Sequence, residues 1–155
     1  MLRPEKLKVL PDKAKSSEPT DYVLDEQVGL LMRIAMQRHT AIFMARMIEE
    51  LTPTQFGVLA KLAEVGPCSQ NYLGRLIYLD AATIKGVVDR LAARGFVATG
   101  SDASDRRRLA VTLTDNGRTV TEAAIKVAAE ITAATLAPLM AEEQRIIGKL
   151  LKKLG

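Results

Sequence analysis

A mainly α fold with one small β-hairpin is predicted for this chain by three observations. Residues 69–95 read as two short amphipathic helices, the second opened by Asp80 and closed by Gly95. Two short segments, 96–99 and 109–113, flank a polar loop that carries Asp105, Arg106, Arg107 and Arg108. Longer helical patterns lie on both sides, over 25–50 and 115–154, and hold more apolar surface than the central unit can cover. Helix, turn, helix and hairpin in that order make the pattern of a winged helix-turn-helix.

Residues 1–20 contain five Lys/Arg, three Pro and two adjacent Ser, so they have little to bury and read as a basic, mobile arm. From Asp25 to about Glu50 the helical pattern is apolar on two sides. Val28, Leu31, Ala35 and Ile42 form one stripe, and Met32, Met36, Phe43 and Met47 another. Such a helix needs two partners, one of them most simply a second copy of the chain. Arg33, Arg38, His39 and Arg46 are embedded in it, with His39 on the methionine stripe beside Phe43. Methionines, an aromatic ring and cations can enclose an apolar anion; they can equally fill core gaps while the arginines face water. Thr52 and Pro53 open the next helix, whose predicted buried face is Phe56, Leu59, Leu62 and Ala63, ending at Gly66 and Pro67.

Ser69 is the expected N-cap of a bracing helix over 70–77, and with Gln70 and Asn71 it is suited to hold phosphates. In the helix that follows, Ile84, Val87, Val88 and Leu91 recur at helical spacing and make one apolar face. Ala82, Thr83, Lys85, Gly86, Asp89 and Arg90 are left on or beside the other. Small residues let such a face approach base edges, and Lys85 and Arg90 suit phosphate or guanine, although an ordinary solvated face has the same composition. The hairpin loop weighs for nucleic acid. Its three adjacent arginines, on a connection longer than a tight turn needs, suit a minor groove and its phosphates. Asp105 is expected to pair with Arg107 and stiffen the wing, which leaves Arg106 and Arg108 as DNA contacts.

After the loop, Leu109, Val111 and Leu113 alternate with Ala110, Thr112 and Thr114, predicting a strand buried on one side. Thr114 can cap a long alanine-rich helix from Asp115 to about Leu136, with a small stripe of Val120, Ala124, Val127 and Ile131. Pro138 stops it. A last helix over 142–154 repeats Ile146, Ile147, Leu150, Leu151 and Leu154. The chain thus divides into the arm (1–20), a helical dimerisation region (21–50 and 115–155) and a DNA-binding region (51–114). Two-fold symmetry in such a dimer would set the half-site spacing on DNA.

Composition narrows the function. The chain is 48% apolar without a continuous run of eighteen apolar residues, so no membrane span or membrane partner is expected. The N-terminus has no apolar leader pattern, and cytoplasm is the expected location. The net charge of +4 is uneven: residues 69–108 hold seven Lys/Arg against four Asp/Glu, whereas 21–68 hold four against six. The basic excess lies on the proposed reader. HExxH, GxSxG, P-loop and dinucleotide motifs are absent, and one His with one Cys cannot build a metal cluster of the usual kind, so neither an enzyme nor a cofactor or metal is expected. The single cysteine, Cys68, lies near the expected start of the bracing helix, where the dipole would favour a thiolate, although a lone cysteine is more often inert.

The run DAATIKGVVDRLAARGFV followed by DASDRRRLAVTLTDNG resembles the recognition helix and wing of the MarR family of bacterial transcriptional regulators. Helix, RG terminus, DRR wing and LTxxG junction come in the family's order and spacing. LTPTQFGVLAKL upstream and AEEQRIIGKLLKKL downstream extend the resemblance over roughly residues 25–154. Thr99 stands where the family usually carries Arg, which removes one cation from the base of the wing. The resemblance implies a homodimeric repressor on a palindromic double-stranded operator, released by a small molecule. TPTQFGVLAKLAEVGPCSQNYLGRL and DAATIKGVVDRL are similar to regulators of aromatic-acid degradation, which implies an aromatic carboxylate or its coenzyme A thioester as effector, with the thioester the expected form. Arg33, Met36, Arg38, His39, Phe43, Arg46 and Tyr72 are the residues expected to bind it. A winged-helix protein-interaction module and a cysteine-based redox regulator are the competing functions.

Overall fold

The computed structural model describes residues 21–101 and 109–155. The basic arm and the wing tip, with Asp105, Arg106, Arg107 and Arg108, lie outside the described residues. A 3-10 turn at Leu24–Glu26 leads into α1 (Val28–Arg46), and a second at Ile48–Glu50 precedes α2 (Pro53–Val65). Then come α3 (Gln70–Leu76), α4 (Ala81–Ala93), an antiparallel hairpin of β1 (Val97–Ser101) and β2 (Leu109–Leu113), α5 (Asp115–Leu136) and α6 (Ala141–Leu154).

Helix starts follow local capping chemistry. Thr52 accepts from the Gln55 amide at 3.2 Å while Gln55 Oε1 accepts from the Thr52 amide at 3.1 Å, a reciprocal cap with Pro53 at the first helical position. Ser69, Asp80 and Thr114 cap α3, α4 and α5 without the reciprocal bond, each accepting from an amide three residues on. Gly95, at φ +74°, ends α4 in the left-handed region. One hydrophobic cluster runs through the chain: Leu59 and Leu62 of α2, Leu73 of α3, Ile84, Val88 and Leu91 of α4, Val111 of β2, and Ala124 and Ile131 of α5.

Four expectations change. The first long helix is broken: Met47 is extended, and Glu49 and Glu50 are left-handed at φ +55° and +48°. Burying both Met47 and Leu51 requires this corner, and nothing in the propensity of Ile48, Glu49 and Glu50 announces it. On α2, Val58 and Gln55 are buried and Ala63 is exposed, because the face in contact follows 55, 58, 59 and 62. The first strand is Val97–Ser101 and not 96–99, with Phe96 buried just before it. In β2, Leu109 is 66% exposed and Ala110 buried, since the Ser101–Leu109 pair, last in the ladder, extends beyond the body of the domain.

The two stripes of α1 are covered only towards its C-terminus: Phe43 and Met47 are buried, whereas Val28, Leu31, Met32 and Met36 are exposed. Against the described residues no side chain of α6 is buried, and Ile146, Leu150, Leu151 and Leu154 face outward. α6 turns 107° from α5, its start held by Gln144 Nε2 donating to the carbonyls of Leu136 and Leu139 at 3.2 and 3.0 Å. Among the described residues, no single helix is long and apolar enough to cross a membrane.

Gly117, the glycine of the LTxxG junction, allows the closest backbone approach in the fold. A Cβ built there would lie 1.8 Å from the Phe96 carbonyl oxygen, which is fixed because it accepts from the Thr114 amide. Gly117→Ala should therefore destabilise the protein by about 3 kcal/mol or more, read by thermal or urea unfolding. Gly148→Ala on α6, where a Cβ meets nothing within 4 Å, should stay within about 1 kcal/mol of the parent on the stabilising side.

Candidate nucleic-acid interface and effector cavity

The helix expected to read DNA is fixed at both ends. Asp80 accepts from the Thr83 amide and from the Thr83 hydroxyl, each at 2.8 Å, and these bonds hold its carboxyl below the usual carboxylate range. Ile84, Val87, Val88 and Leu91 are all buried, as their spacing predicts, which leaves Ala82, Thr83, Lys85, Asp89 and Arg90 exposed. Lys85 Nζ lies 2.6 Å from Asp89 Oδ2, one turn on. Arg90 folds back over Gly86, where a Cβ would come within 3.3 Å of Nη1. Both partners of the lysine pair are exposed, so exchanging the carboxylate for a phosphate or a guanine edge costs little.

The bracing helix is set tightly against this one. A Cβ on Gly74 would be 3.1 Å from both the Leu79 carbonyl and Ile84, so the glycine lets the two helices close. Ser69 caps α3 by accepting from the Tyr72 amide at 3.3 Å, with Gln70 half-buried and Asn71 exposed beside it. Arg75, absent from the residues singled out by sequence, lines a cleft of about 260 Å³ with Asn71, Leu79 and Ala81. Its position four residues after Asn71, on the same helix face, is the signal that could have found it. Tyr72 also belongs to this surface: the Arg75 guanidinium lies 5.7 Å from its ring centroid. Tyr72 is thus apart from the cavity under α1.

The other expected ligand residues divide between faces of α1. Arg33 and Met36 line an open groove of about 510 Å³ with Gln37, Thr40, Ala41 and Met44. His39 and Phe43 line a different cavity of about 240 Å³, completed by Pro53 and Phe56 of α2 and Ala128, Ile131 and Thr132 of α5. Its three rings are neighbours, with centroids 6.3 Å apart for His39 and Phe43 and 6.0 Å for Phe43 and Phe56. His39 Nδ1 is 2.9 Å from Thr135 Oγ1. Arg38 donates to the carbonyls of Thr135 and Ala134 at 2.5 and 3.0 Å, tying α1 to the last turn of α5, where a cation meets the free carbonyls and the negative end of the dipole. Arg46 is exposed in the last turn of α1. The structure therefore brings together His39, Phe43 and Phe56, and separates them from Arg33, Met36 and Tyr72.

Cys68 does not behave as expected for a thiolate at a helix start. Its backbone is paired with Val111 through bonds of 3.2 and 2.8 Å, and burial pushes the half-buried thiol above its ordinary pKa. Less thiolate at neutral pH means a less reactive group, which speaks against the redox alternative. Among the described residues, no three His, Cys, Asp or Glu gather in a way that could hold a metal ion.

The chain is similar to known proteins. A model of the MarR family matches residues 50–108. The HTH-type transcriptional repressor NicR of Pseudomonas putida is 42% identical over 143 residues, which span 90% of either chain. A probable transcriptional regulator from Pseudomonas aeruginosa has a solved structure that is 47% identical, covers 86% of this chain and 100% of its own, and superposes with a TM-score of 0.82. BpsR of Bordetella bronchiseptica, whose DNA binding is regulated by 6-hydroxynicotinic acid, is 40% identical over 87% of this chain and 97% of its own, with a TM-score of 0.81. These relatives are regulators of transcription and not enzymes. With its capped reading helix, hairpin wing and flanking helices, the chain belongs to the MarR family of winged-helix, DNA-binding transcriptional regulators.

Proposed function

We propose that this regulator is a homodimeric repressor that occupies a palindromic operator until a single-ring aromatic or pyridine carboxylate binds beneath α1. The observation that carries the effector is the cavity between α1, α2 and α5, with one imidazole and two phenyl rings in its wall, in a chain 40% identical to BpsR. At about 240 Å³ the cavity suits one substituted ring, so the free acid is preferred to its coenzyme A thioester. His39 Nδ1 is engaged with Thr135, which leaves Nε2 to meet the carboxylate, while Phe43 and Phe56 enclose the ring. Arg33 and Met36 are left to the open groove, whose lining includes neither His39 nor Phe43.

Dimerisation is supported by the apolar side chains exposed on α1 and α6, whose burial is worth about 1.5 to 3 kcal/mol each. Residues 21–50 and 115–155 would form that interface and 51–114 the DNA-binding region. In the DNA complex Ala82, Thr83, Lys85 and Arg90 enter the major groove, while Ser69, Gln70, Asn71 and Arg75 hold phosphates beside it. Arg106 and Arg108 take the minor groove, with Asp105 and Arg107 stiffening the wing between them.

Two measurements test this. Replacing Arg106 and Arg108 together by Ala should weaken binding to operator and random duplex alike and flatten the slope of log K against log salt by roughly one to two units, whereas Lys85→Ala should change base preference. An unaltered slope removes the wing from the contacts. In the second, hydroxybenzoic and hydroxynicotinic acids and the corresponding coenzyme A thioesters are titrated into the protein–operator complex, with hydrogen peroxide as a separate arm. The acids should release the DNA, peroxide should not, and His39→Ala or Phe56→Ala should raise the required concentration at least about tenfold. Release that survives both variants but is lost in Arg33→Ala would move the effector to the open groove.

A further inference from the structure

Arg94 sits at the C-terminal cap of α4 and touches three things at once. Its Nη2 donates to the Glu49 carbonyl at 2.5 Å and lies 3.8 Å from Glu49 Oε2. Its guanidinium carbon is 4.6 Å from the centroid of the buried Phe96 ring. Glu49 and Glu50 are the left-handed corner between α1 and α2, flanked by Met47 and Leu51, both buried. Two successive non-glycine residues in that region are costly and persist where their surroundings hold them. We infer that Arg94 is a positioning residue: it clamps the end of the reading helix to the α1–α2 corner and so sets the angle at which that helix meets DNA.

The chemistry favours this role over a DNA contact. An arginine can bond a carbonyl in the plane of its fork while its face covers an aromatic ring, which lysine cannot do together. The side chain, 32% exposed, is occupied, and it sits about 20 Å along the helix from the Asp80 end, the end that a helix-turn-helix inserts. The carboxylate of Glu49 is more distant and exposed, so the carbonyl bond and the ring contact make the clamp. The corner is also the covalent link from α1, which lines the effector cavity, to α2, so the clamp offers a route from that cavity to the reader. The inference rests on the reading that α4 binds DNA.

The test uses the full-length protein with Arg94→Gln, Arg94→Lys and Glu49→Ala, and compares amide hydrogen exchange of the free protein with operator binding over a salt series. Arg94→Gln should speed exchange of the Leu51 amide, which bonds the Ile48 carbonyl across the corner, by about tenfold or more while the middles of α2 and α4 stay protected. Operator affinity should fall by about tenfold with the salt slope unchanged. Arg94→Lys should recover part of the affinity, and it carries the comparison should Arg94→Gln not fold. Glu49→Ala should behave like the parent, since the carbonyl remains. A slope shallower by about one unit would make Arg94 a phosphate contact and overturn the inference. So would unchanged exchange at the corner, or a Glu49→Ala variant as impaired as Arg94→Gln. If the corner loosens in Arg94→Gln but the parent binds no operator, the clamp stands and the DNA reading of α4 fails.

Discussion

The close approach of Gly117 to the Phe96 carbonyl is the constraint on which the rest of this fold depends. Around it Thr114 does three jobs: its amide donates to the Phe96 carbonyl at 3.1 Å, its hydroxyl donates to the Gly95 carbonyl at 2.6 Å, and the same oxygen accepts from the Gly117 amide at 2.9 Å. The Phe96 amide in turn donates to Leu91 of the reading helix at 3.0 Å. The end of α4, the base of the hairpin and the start of α5 are thereby locked within a few residues. Because the Thr114 hydroxyl and amide bond backbone groups of both neighbours, a tilt of any one of the three strains the others.

A second tie joins the same end of α4 to the corner at Glu49. The reading helix is thus held at one end by α5, through Thr114, and by the corner that joins α1 to α2, through Arg94. α1 and α5 wall the His39 cavity together with α2. A ligand that wedges between them need not reach the DNA surface. To take the protein from 99% competent to 99% incompetent, it must favour the second arrangement by about 5.5 kcal/mol in all. A charge-assisted bond to the carboxylate supplies about 1.5 to 3 kcal/mol of this, and burial of one ring a similar amount. Together these come to about 3 to 6 kcal/mol, so a small acid meets the requirement only where both contacts are made in the second arrangement alone.

What could be read from sequence was what chemistry settles within one turn of chain. Thr52, Ser69, Asp80 and Thr114 each satisfy an amide three residues away, so the starts of α2 to α5 were legible, as was the left-handed Gly95. The corner at Glu49 was not, because it is imposed by burial of Met47 and Leu51 on either side and held by a residue 45 positions later in the chain. On the site, His39 beside Phe43 was legible as one face of a helix. Where along α1 a cavity closes was not, since α2 and α5 decide it: they enclose His39 and Phe43 and leave Met36 with Arg33 in the open groove. Arg38 shows the same limit. Its charge was visible, but its partners, two carbonyls at the end of α5, are fixed by tertiary packing.

The reading helix itself carries almost no net charge where it would touch DNA. Lys85 is paired with Asp89, Thr83 is bonded to Asp80, and the two carboxylates balance Lys85 and Arg90. A surface of this kind gains little from phosphates in general and loses when brought to a sequence that does not offer Lys85 a better partner than Asp89. On the proposed contacts, sequence-independent attraction comes from cations elsewhere, among them Arg75 on the bracing helix and the run from Arg106 to Arg108. Affinity and discrimination are thereby assigned to different elements. Under the proposed assignment, tilting the reader through the corner or through Thr114 would remove discrimination first and spare the nonspecific attraction of the arginines at 106–108, so a released protein would stay near DNA without occupying its operator.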